Sequence, residues 1–336
     1  MTKQGHTENS RAAERGKASY VCPPMATASL PLAARAQGAL LGLAAGNALG
    51  VPTEFLGSPA AVLAAFPSGL TDILRADTPS SPFDDDTAMA LVLAEELLAG
   101  DVDLERLARR WIAWMDADGR GVGAWTRTAL NHIRTHGSPP SGTGGRASNG
   151  AVMRALPVAL ATRGSPRNLV AGTWHTAALT HPDDRCTWGA VAVNVAAAEL
   201  LAGRRDFLAD VIEVLRVNAA PPELLAAVRR VPLERREELP IVGERAGDAV
   251  ACVEIALWAA WHEPNLEQAL IWLANAGGDS DTNAAVAGGL LGARDGVQAI
   301  PERWIAALPD VERLRSIATR LVGETLPSQP PLALPR

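Results

Sequence analysis

The sequence predicts an all-α protein: one compact, single-domain helical bundle. Two observations carry that expectation. Ala and Leu dominate a chain that is 48% apolar with one Tyr and four Phe, and runs of β-branched residues are scarce. Such a composition favours helix over strand. Polar or glycine-bearing turns also open repeatedly onto apolar segments of helical length.

The first 32 residues mix charge with Ser, Gly and Pro and bury little, so they are expected to be a disordered tail. Met25 offers a second possible start. The folded domain is expected over 33–325, with a Pro-rich tail at 326–336. Glycines at 38, 42, 46 and 50 fall on one face of a helix and allow very close approach of a neighbour. Polar Asn47 and Glu54 at the end of that helix are site candidates. A loop follows, with a short helix near Pro59–Phe66, then helices over 86–99, 104–115 and 124–134. Ser148–Pro157 reads as a polar turn opening a small-residue helix, whose N–H groups suit an anionic group such as a diphosphate. Another helix is expected to end at Leu179–Thr180, followed by helices over 187–202 and 206–217. The stretch 220–248 is rich in Arg and Glu and reads as short solvated helices. Core helices are expected over 250–261, 266–274 and 284–293, and a last one over 309–322. No repeat of 20–50 residues is visible.

The net charge is −6, and no Lys/Arg block marks a nucleic-acid footprint. The longest apolar run, Trp188–Ala202, carries Asn194 and Glu199 and reads as a buried helix rather than a membrane span. No apolar signal core precedes it. Cys22, Cys186 and Cys252 are too few and too scattered for a disulfide framework or a Cys-type zinc site. These features lead to the expectation of a cytoplasmic monomer with no membrane contact and no nucleic-acid partner.

Two stretches carry the chemistry. Gly277-Gly278-Asp279-Ser280-Asp281-Thr282 runs straight into a small, apolar helix. Residues at i and i+2 do not share a helix face, so Asp279 and Asp281 are expected to converge from the turn before that helix. Glycines allow such a turn unusual backbone angles. Two carboxylates and a hydroxyl at one point suit a hard cation. Asp84-Asp85-Asp86-Thr87 repeats the pattern before a second apolar helix. A single turn of this kind is equally well read as helix capping. Two of them, far apart in sequence, point to a shared metal site, because a divalent ion offsets the repulsion among the carboxylates. The glycine-rich loop Asp116–Gly123 could bring backbone close to a ligand. His181, before Pro182-Asp183-Asp184, is a candidate ligand contact.

Five motifs in order resemble the ADP-ribosylglycohydrolases, the group containing ADP-ribosylarginine hydrolases and the dinitrogenase-reductase-activating glycohydrolase. They are Gly46-x-Ala48-Leu49-Gly50 with Pro52-x-Glu54; Asp85-Asp86-Thr87; Ser148-Asn149-Gly150-x-x-Met153-Arg154; Thr180-His181; and Gly277-Gly278-Asp279-Ser280-Asp281-Thr282. The resemblance spans residues 36–305. It implies a cleft with two Mg²⁺ (or Mn²⁺) ions on Asp84, Asp85, Asp86, Asp279, Asp281 and Thr282. It also implies catalytic work by Glu54, Asp85, Asp86 and, more weakly, Asp118. Gly121, Gly123, Gly145, Ser148, Asn149 and Gly150 would cradle ribose and diphosphate, with His181 lining the cleft. The implied reaction is hydrolysis of a bond to C1″ of ADP-ribose, with arginine-linked ADP-ribose on protein as the expected substrate. Serine-, nucleobase- and O-acetyl-linked ADP-ribose are alternatives, and so is a non-catalytic ADP-ribose-binding or immunity protein. Three departures stand out. Asp84 replaces a usual Thr or Ser, Asn47 replaces a frequent Asp, and Ala124-Trp125 replaces smaller or hydroxyl residues.

Overall fold

The computed structural model describes residues 30–74, 82–100, 102–141, 147–162 and 164–323. The expected tails at 1–32 and 326–336 lie almost wholly outside these residues. Gly145 lies outside them too. The described residues form fifteen α-helices and no β-strand beyond a one-residue bridge between Ser148 and Asp248. In order they are α1 (Leu32–Gly50), α2 (Pro59–Ala65), α3 (Asp85–Leu98), α4 (Leu104–Ala117), α5 (Ala124–His136), α6 (Leu156–Thr162), α7 (Pro166–Ala178) and α8 (Asp184–Leu201). Then come α9 (Leu208–Val217), α10 (Pro222–Arg230), α11 (Ala249–His262), α12 (Leu266–Ala276), α13 (Ser280–Asp295), α14 (Glu302–Ile305) and α15 (Val311–Gly323).

Local chemistry starts six of these helices. Ser58, Asp103, Ser165, Asp183, Asp248 and Asn265 are N-caps whose side-chain oxygens accept a hydrogen bond from a backbone N–H of the first turn. The surface helices α4, α10 and α15 carry one apolar face. In contrast, α1, α11 and α13 are apolar almost all round and are buried along most of their length.

The centre of the fold is the pair α1–α13, packed antiparallel with backbones touching. A Cβ on Gly38 would lie 2.4 Å from the Gly292 carbonyl oxygen, and one on Gly42 2.2 Å from that of Gly288. A Cβ on Gly46 would lie 2.0 Å from the Ala284 oxygen, and one on Gly50 2.3 Å from Asp281 Cα. Any side chain on this face therefore collides with backbone, which cannot rotate away. The ladder brings the end of α1 against the start of α13. Ser280 Oγ donates to Gly50 O (3.0 Å) and closes that end. The remaining helices wrap this pair and bury a continuous apolar core.

One expected element differs. Ser148 does not open a regular helix. Asn149–Ala151 is a single 3-10 turn, and α6 begins only at Leu156. The reason is local: Asn149 N–H donates to Gly247 O (3.1 Å) and Ala249 N–H to Ala147 O (2.7 Å), which pins this strip against the start of α11.

Candidate metal centre

Two helix starts meet at the closed end of the α1–α13 pair. Asp84 and Asp279 stand at the N-cap positions of α3 and α13. Asp85 and Asp86 occupy the first turn of α3, and Asp281 and Thr282 that of α13. Asp281 is thus inside the helix and not in the preceding turn. It converges with Asp279 because the N-cap residue stands half outside the helical path. Neither Asp84 nor Asp279 makes a side-chain cap bond. That separates these two turns from the six that cap, and it removes capping as the account of their carboxylates.

Ligand-type oxygens of Glu54, Asp84 and Asp281 lie within 4.8 Å of one another, as do those of Asp84, Asp85 and Asp86. Asp84, Asp85, Asp86, Asp281 and Thr282 are buried, and Asp279 is part-buried. Asp86 Oδ1, Asp279 Oδ1 and Asp281 Oδ1 are buried with no hydrogen-bond partner among the described residues. Burial, and then the charge of Asp84, pushes Asp85 up to about 7. Burial followed by the charges of Asp279 and Asp84 pushes Glu54 up to about 8. Asp86 and Asp281 are raised well above the carboxylate range, first by burial and then by neighbouring carboxylates. A buried anion without a partner is strongly disfavoured. Oxygen donors at this density fit hard divalent cations.

Asn47 orients one side of the cluster. Its Nδ2 donates to Asp84 Oδ1 (2.7 Å), while its Oδ1 accepts from Asp84 N–H (3.1 Å) and Thr87 Oγ1 (2.9 Å). Two departures from the family pattern are therefore one contact. An Asp at 47 could not donate to a carboxylate at 84, whereas Asn can. On the other side, Asn149 Nδ2 donates to Asp279 Oδ2 (2.9 Å).

The cluster forms the floor of a cleft of about 710 Å³, lined among others by Glu54, Gly121, Gly123, Trp125, Ser148 and Gly150. Gly121 sits at φ +76°, and a Cβ there would lie 2.6 Å from Asp84 Oδ2 and 2.7 Å from Asp85 Oδ1. The glycine-rich loop thus lies against the carboxylates as bare backbone. Trp125 Nε1 donates to Thr180 O (2.7 Å), which fixes the indole in the cleft wall.

His181 stands one layer behind that wall. It is buried and does not line the cleft; its Nε2 lies 3.0 Å from Ser148 Oγ. Arg154, also buried, lies over the Trp111 ring and donates to Gly150 O (2.8 Å) and Thr180 Oγ1 (2.6 Å). Thr180 Oγ1 is 2.7 Å from His181 Nδ1. Burial, then the Arg154 charge, holds His181 well below its usual value, so the ring is neutral. We assign the Thr180 hydroxyl as donor to Nδ1, which leaves Nε2–H to donate to Ser148. The Ser148 hydroxyl is then free to donate into the cleft. Sequence reasoning found the members of this relay as motif residues but not their order.

Asp118 does not join the cluster. It follows the last turn of α4, is exposed, and pairs with Arg120 (3.4 Å). The sequence reading also passed over Phe55, which lines the cleft mouth, because an aromatic next to Glu54 carries no signal that separates a mouth from a core.

An all-helical domain with a buried carboxylate cleft between two helix starts is the class of protein that these features define. Its family follows from comparison. The sequence model of the ADP-ribosylglycohydrolases matches residues 28–331, and the chain belongs to that family of enzymes, which hydrolyse glycosidic bonds of ADP-ribose. It is similar to ADP-ribosylarginine hydrolase Tri1 of Serratia proteamaculans (strain 568), with 29% identity over 307 residues covering 85% of this chain and 78% of that one. It is 30% identical over 277 residues to the ADP-ribosyl-(dinitrogen reductase) glycohydrolase of Rhodospirillum rubrum, covering 82% and 90% of the two chains. A solved structure described as an ADP-ribosylglycohydrolase-related protein complex superposes with a TM-score of 0.74 at 32% identity, covering 87% of this chain and 98% of that one. No helix among the described residues is long and apolar enough to cross a membrane.

Proposed function

We propose that this enzyme removes ADP-ribose from arginine side chains of modified proteins, using two divalent cations, Mg²⁺ or Mn²⁺. The observation that carries the cation reading is the set of three partnerless buried oxygens on Asp86, Asp279 and Asp281. Asp84, Asp85, Asp86, Asp279, Asp281 and Thr282 are the residues that would hold the ions. Bound there, the ions would polarise ribose hydroxyls and a water molecule. The backbone of Gly121, Gly123 and Gly150 would pass close along the ribose and diphosphate. Ser148 would donate a hydrogen bond to them, and Asn149 keeps Asp279 in place. Glu54, at the edge of the cluster, is the proton carrier. Its place beside the ligand carboxylates, on the wall of the cleft, suits a group that protonates the departing nitrogen and is recharged from water.

The arginine linkage is favoured by charge. A guanidinium leaving group keeps its positive charge, and five carboxyl groups line the cleft, those of Glu54, Asp85, Asp86, Asp279 and Asp281. The Serratia relative is an ADP-ribosylarginine hydrolase by name and the Rhodospirillum relative is named for dinitrogen reductase, a protein target, which supports this reading. The reading includes a cytoplasmic monomer. The buried thiols Cys186 and Cys252 fit a reducing compartment.

The test is turnover of matched ADP-ribosyl-arginine, -serine and -nucleobase substrates and of O-acetyl-ADP-ribose, with Mg²⁺, with Mn²⁺ and with EDTA. Arginine-linked substrate should be preferred and EDTA should abolish activity. A serine preference of about tenfold, equal to roughly 1.4 kcal/mol in transition-state binding, would move the linkage and leave the cation site standing. Tight ADP-ribose binding without turnover of any substrate would indicate a binding protein.

A further inference from the structure

Phe55 combines two unfavourable features with no return inside the free chain. Its φ is +62°, the left-handed region, where a bulky side chain is an outlier. Its side chain is 81% exposed, so the ring covers no core. The other non-glycine residues at positive φ among the described ones are Ala219 and Asp310, and neither lines the cleft. The conformation of Phe55 is imposed from both sides. Phe55 N–H donates to Gly278 O (2.9 Å), and Gly278 N–H donates to Leu56 O (2.7 Å). Gly277, at φ +75°, packs so closely that a Cβ would lie 2.3 Å from Leu56 O. Strain that the surroundings enforce at a cleft is a reason to look for function there.

The placement says which part of a substrate the ring would meet. Glu54 immediately precedes Phe55, and Gly278, its backbone partner, immediately precedes Asp279. Phe55 therefore lines the same cleft as Glu54 and Asp279, with its backbone joined directly to Glu54 and hydrogen-bonded to the residue before Asp279. An aromatic face in a field of carboxylates suits a flat, weakly hydrated cation.

We propose that Phe55 is the stacking platform for the guanidinium leaving group and thereby a determinant of arginine selectivity. This rests on the arginine reading above. A serine O-glycoside, whose leaving group is a hydroxyl, presents no planar cation to the ring and gains nothing from it.

The experiment uses the full chain with Mg²⁺ and the variants Phe55→Ala, Phe55→Trp and Phe55→Gly. It measures kcat/KM on an ADP-ribosyl-arginine peptide, calorimetric affinity for free ADP-ribose, and Tm. Phe55→Ala should lower kcat/KM about 2- to 30-fold, the range of a cation–π contact. Phe55→Trp should stay within about twofold of wild type, since Trp offers the better face. ADP-ribose affinity should be unchanged in all three. Phe55→Gly should lose activity as Ala does while its Tm rises, because glycine accepts positive φ. An active wild type with an insensitive Phe55→Ala overturns the platform and leaves the arginine reading intact. Parallel loss of ADP-ribose affinity overturns it as well, since the ring would then hold the nucleotide. A wild type that ignores the arginine peptide overturns both.

Discussion

Replacing Gly46 by Ala tests whether the α1–α13 ladder sets the geometry of the carboxylate cluster. The new Cβ would lie 2.0 Å from Ala284 O, 2.4 Å from its carbonyl carbon and 2.9 Å from Ala285 N. All three are backbone atoms of a buried helix, so relief requires the helices to part by at least the 1 Å or so that restores the 3.0 Å minimum of real Cβ contacts. Helix propensity alone favours Ala by about 1 kcal/mol. Overpacking of this kind costs about 1–3 kcal/mol, more where neither side yields. The net expectation is a loss of about 1–2 kcal/mol, or a Tm lowered by roughly 2–3 °C. Function should suffer beyond stability. Gly46 adjoins Asn47, which holds Asp84, and Ala284 follows Thr282 by two residues. Parting the helices there separates the two groups of carboxylates. Gly38→Ala is the control. Its Cβ meets Gly292 O at 2.4 Å, but about 12 Å further along the helix. Thermal melts and calorimetric Mn²⁺ titrations on both variants make the comparison. Both should melt lower, and only Gly46→Ala should lose much metal affinity. A Gly46→Ala protein as stable as wild type, or equal loss of metal affinity in both variants, would refute the reasoning.

Three further outcomes concern the cluster and the relay behind the cleft wall. Metal-free protein in EDTA should lose stability as pH rises from about 4 towards 7. Carboxyls such as Asp85, held near 7 when folded, keep protons that the unfolded chain releases, at a slope of about 1.4 kcal/mol per pH unit for each group in its window. Urea melts across that range should show the fall, and added Mg²⁺ should flatten it, because binding ionised ligands releases those protons. Asn47→Asp should lower stability by replacing the donor that Asp84 uses, and adding Asp84→Thr should recover about 0.5–3 kcal/mol of that loss, read as the coupling in a double-mutant cycle of stabilities. Thr180→Val should cost about 2 kcal/mol, since it strands a buried Arg154 donor, and should weaken ADP-ribose binding through Ser148, measured by denaturation and calorimetry.

The parts of this protein that could be read in advance are those with strong local chemistry. The glycine spacing in α1 shows in the chain because four-residue periodicity and the lack of a side chain are both local properties. Its partner face on α13 shows only as small residues. That the two faces meet, and in antiparallel register, is a tertiary fact. The Asp-rich turns were visible, but their distinction from ordinary caps depends on bonds that Asp84 and Asp279 do not make. Ser148 does not start a regular helix because the backbone on either side of it, Ala147 O and Asn149 N–H, is claimed by Ala249 and Gly247, about a hundred residues away. His181 was read as lining the cleft, whereas the relay from Arg154 uses it to aim Ser148. Asp118 matched by residue type alone, and its position at the end of α4 turns it to solvent.

The backbone ladder also dictates when the protein can mature. Gly50 and Ser280, which meet at the carboxylate cluster, are 230 residues apart. At about 5–20 residues per second, roughly ten to fifty seconds of synthesis separate them. Throughout that interval the nascent α1, apolar on nearly every side, has emerged without the one surface shaped to receive it. Neither half of the cluster can act as a site until the ribosome has delivered α13. The nascent chain must therefore shelter its first helix, by transient burial or by a chaperone, and it acquires its chemistry only near the end of translation.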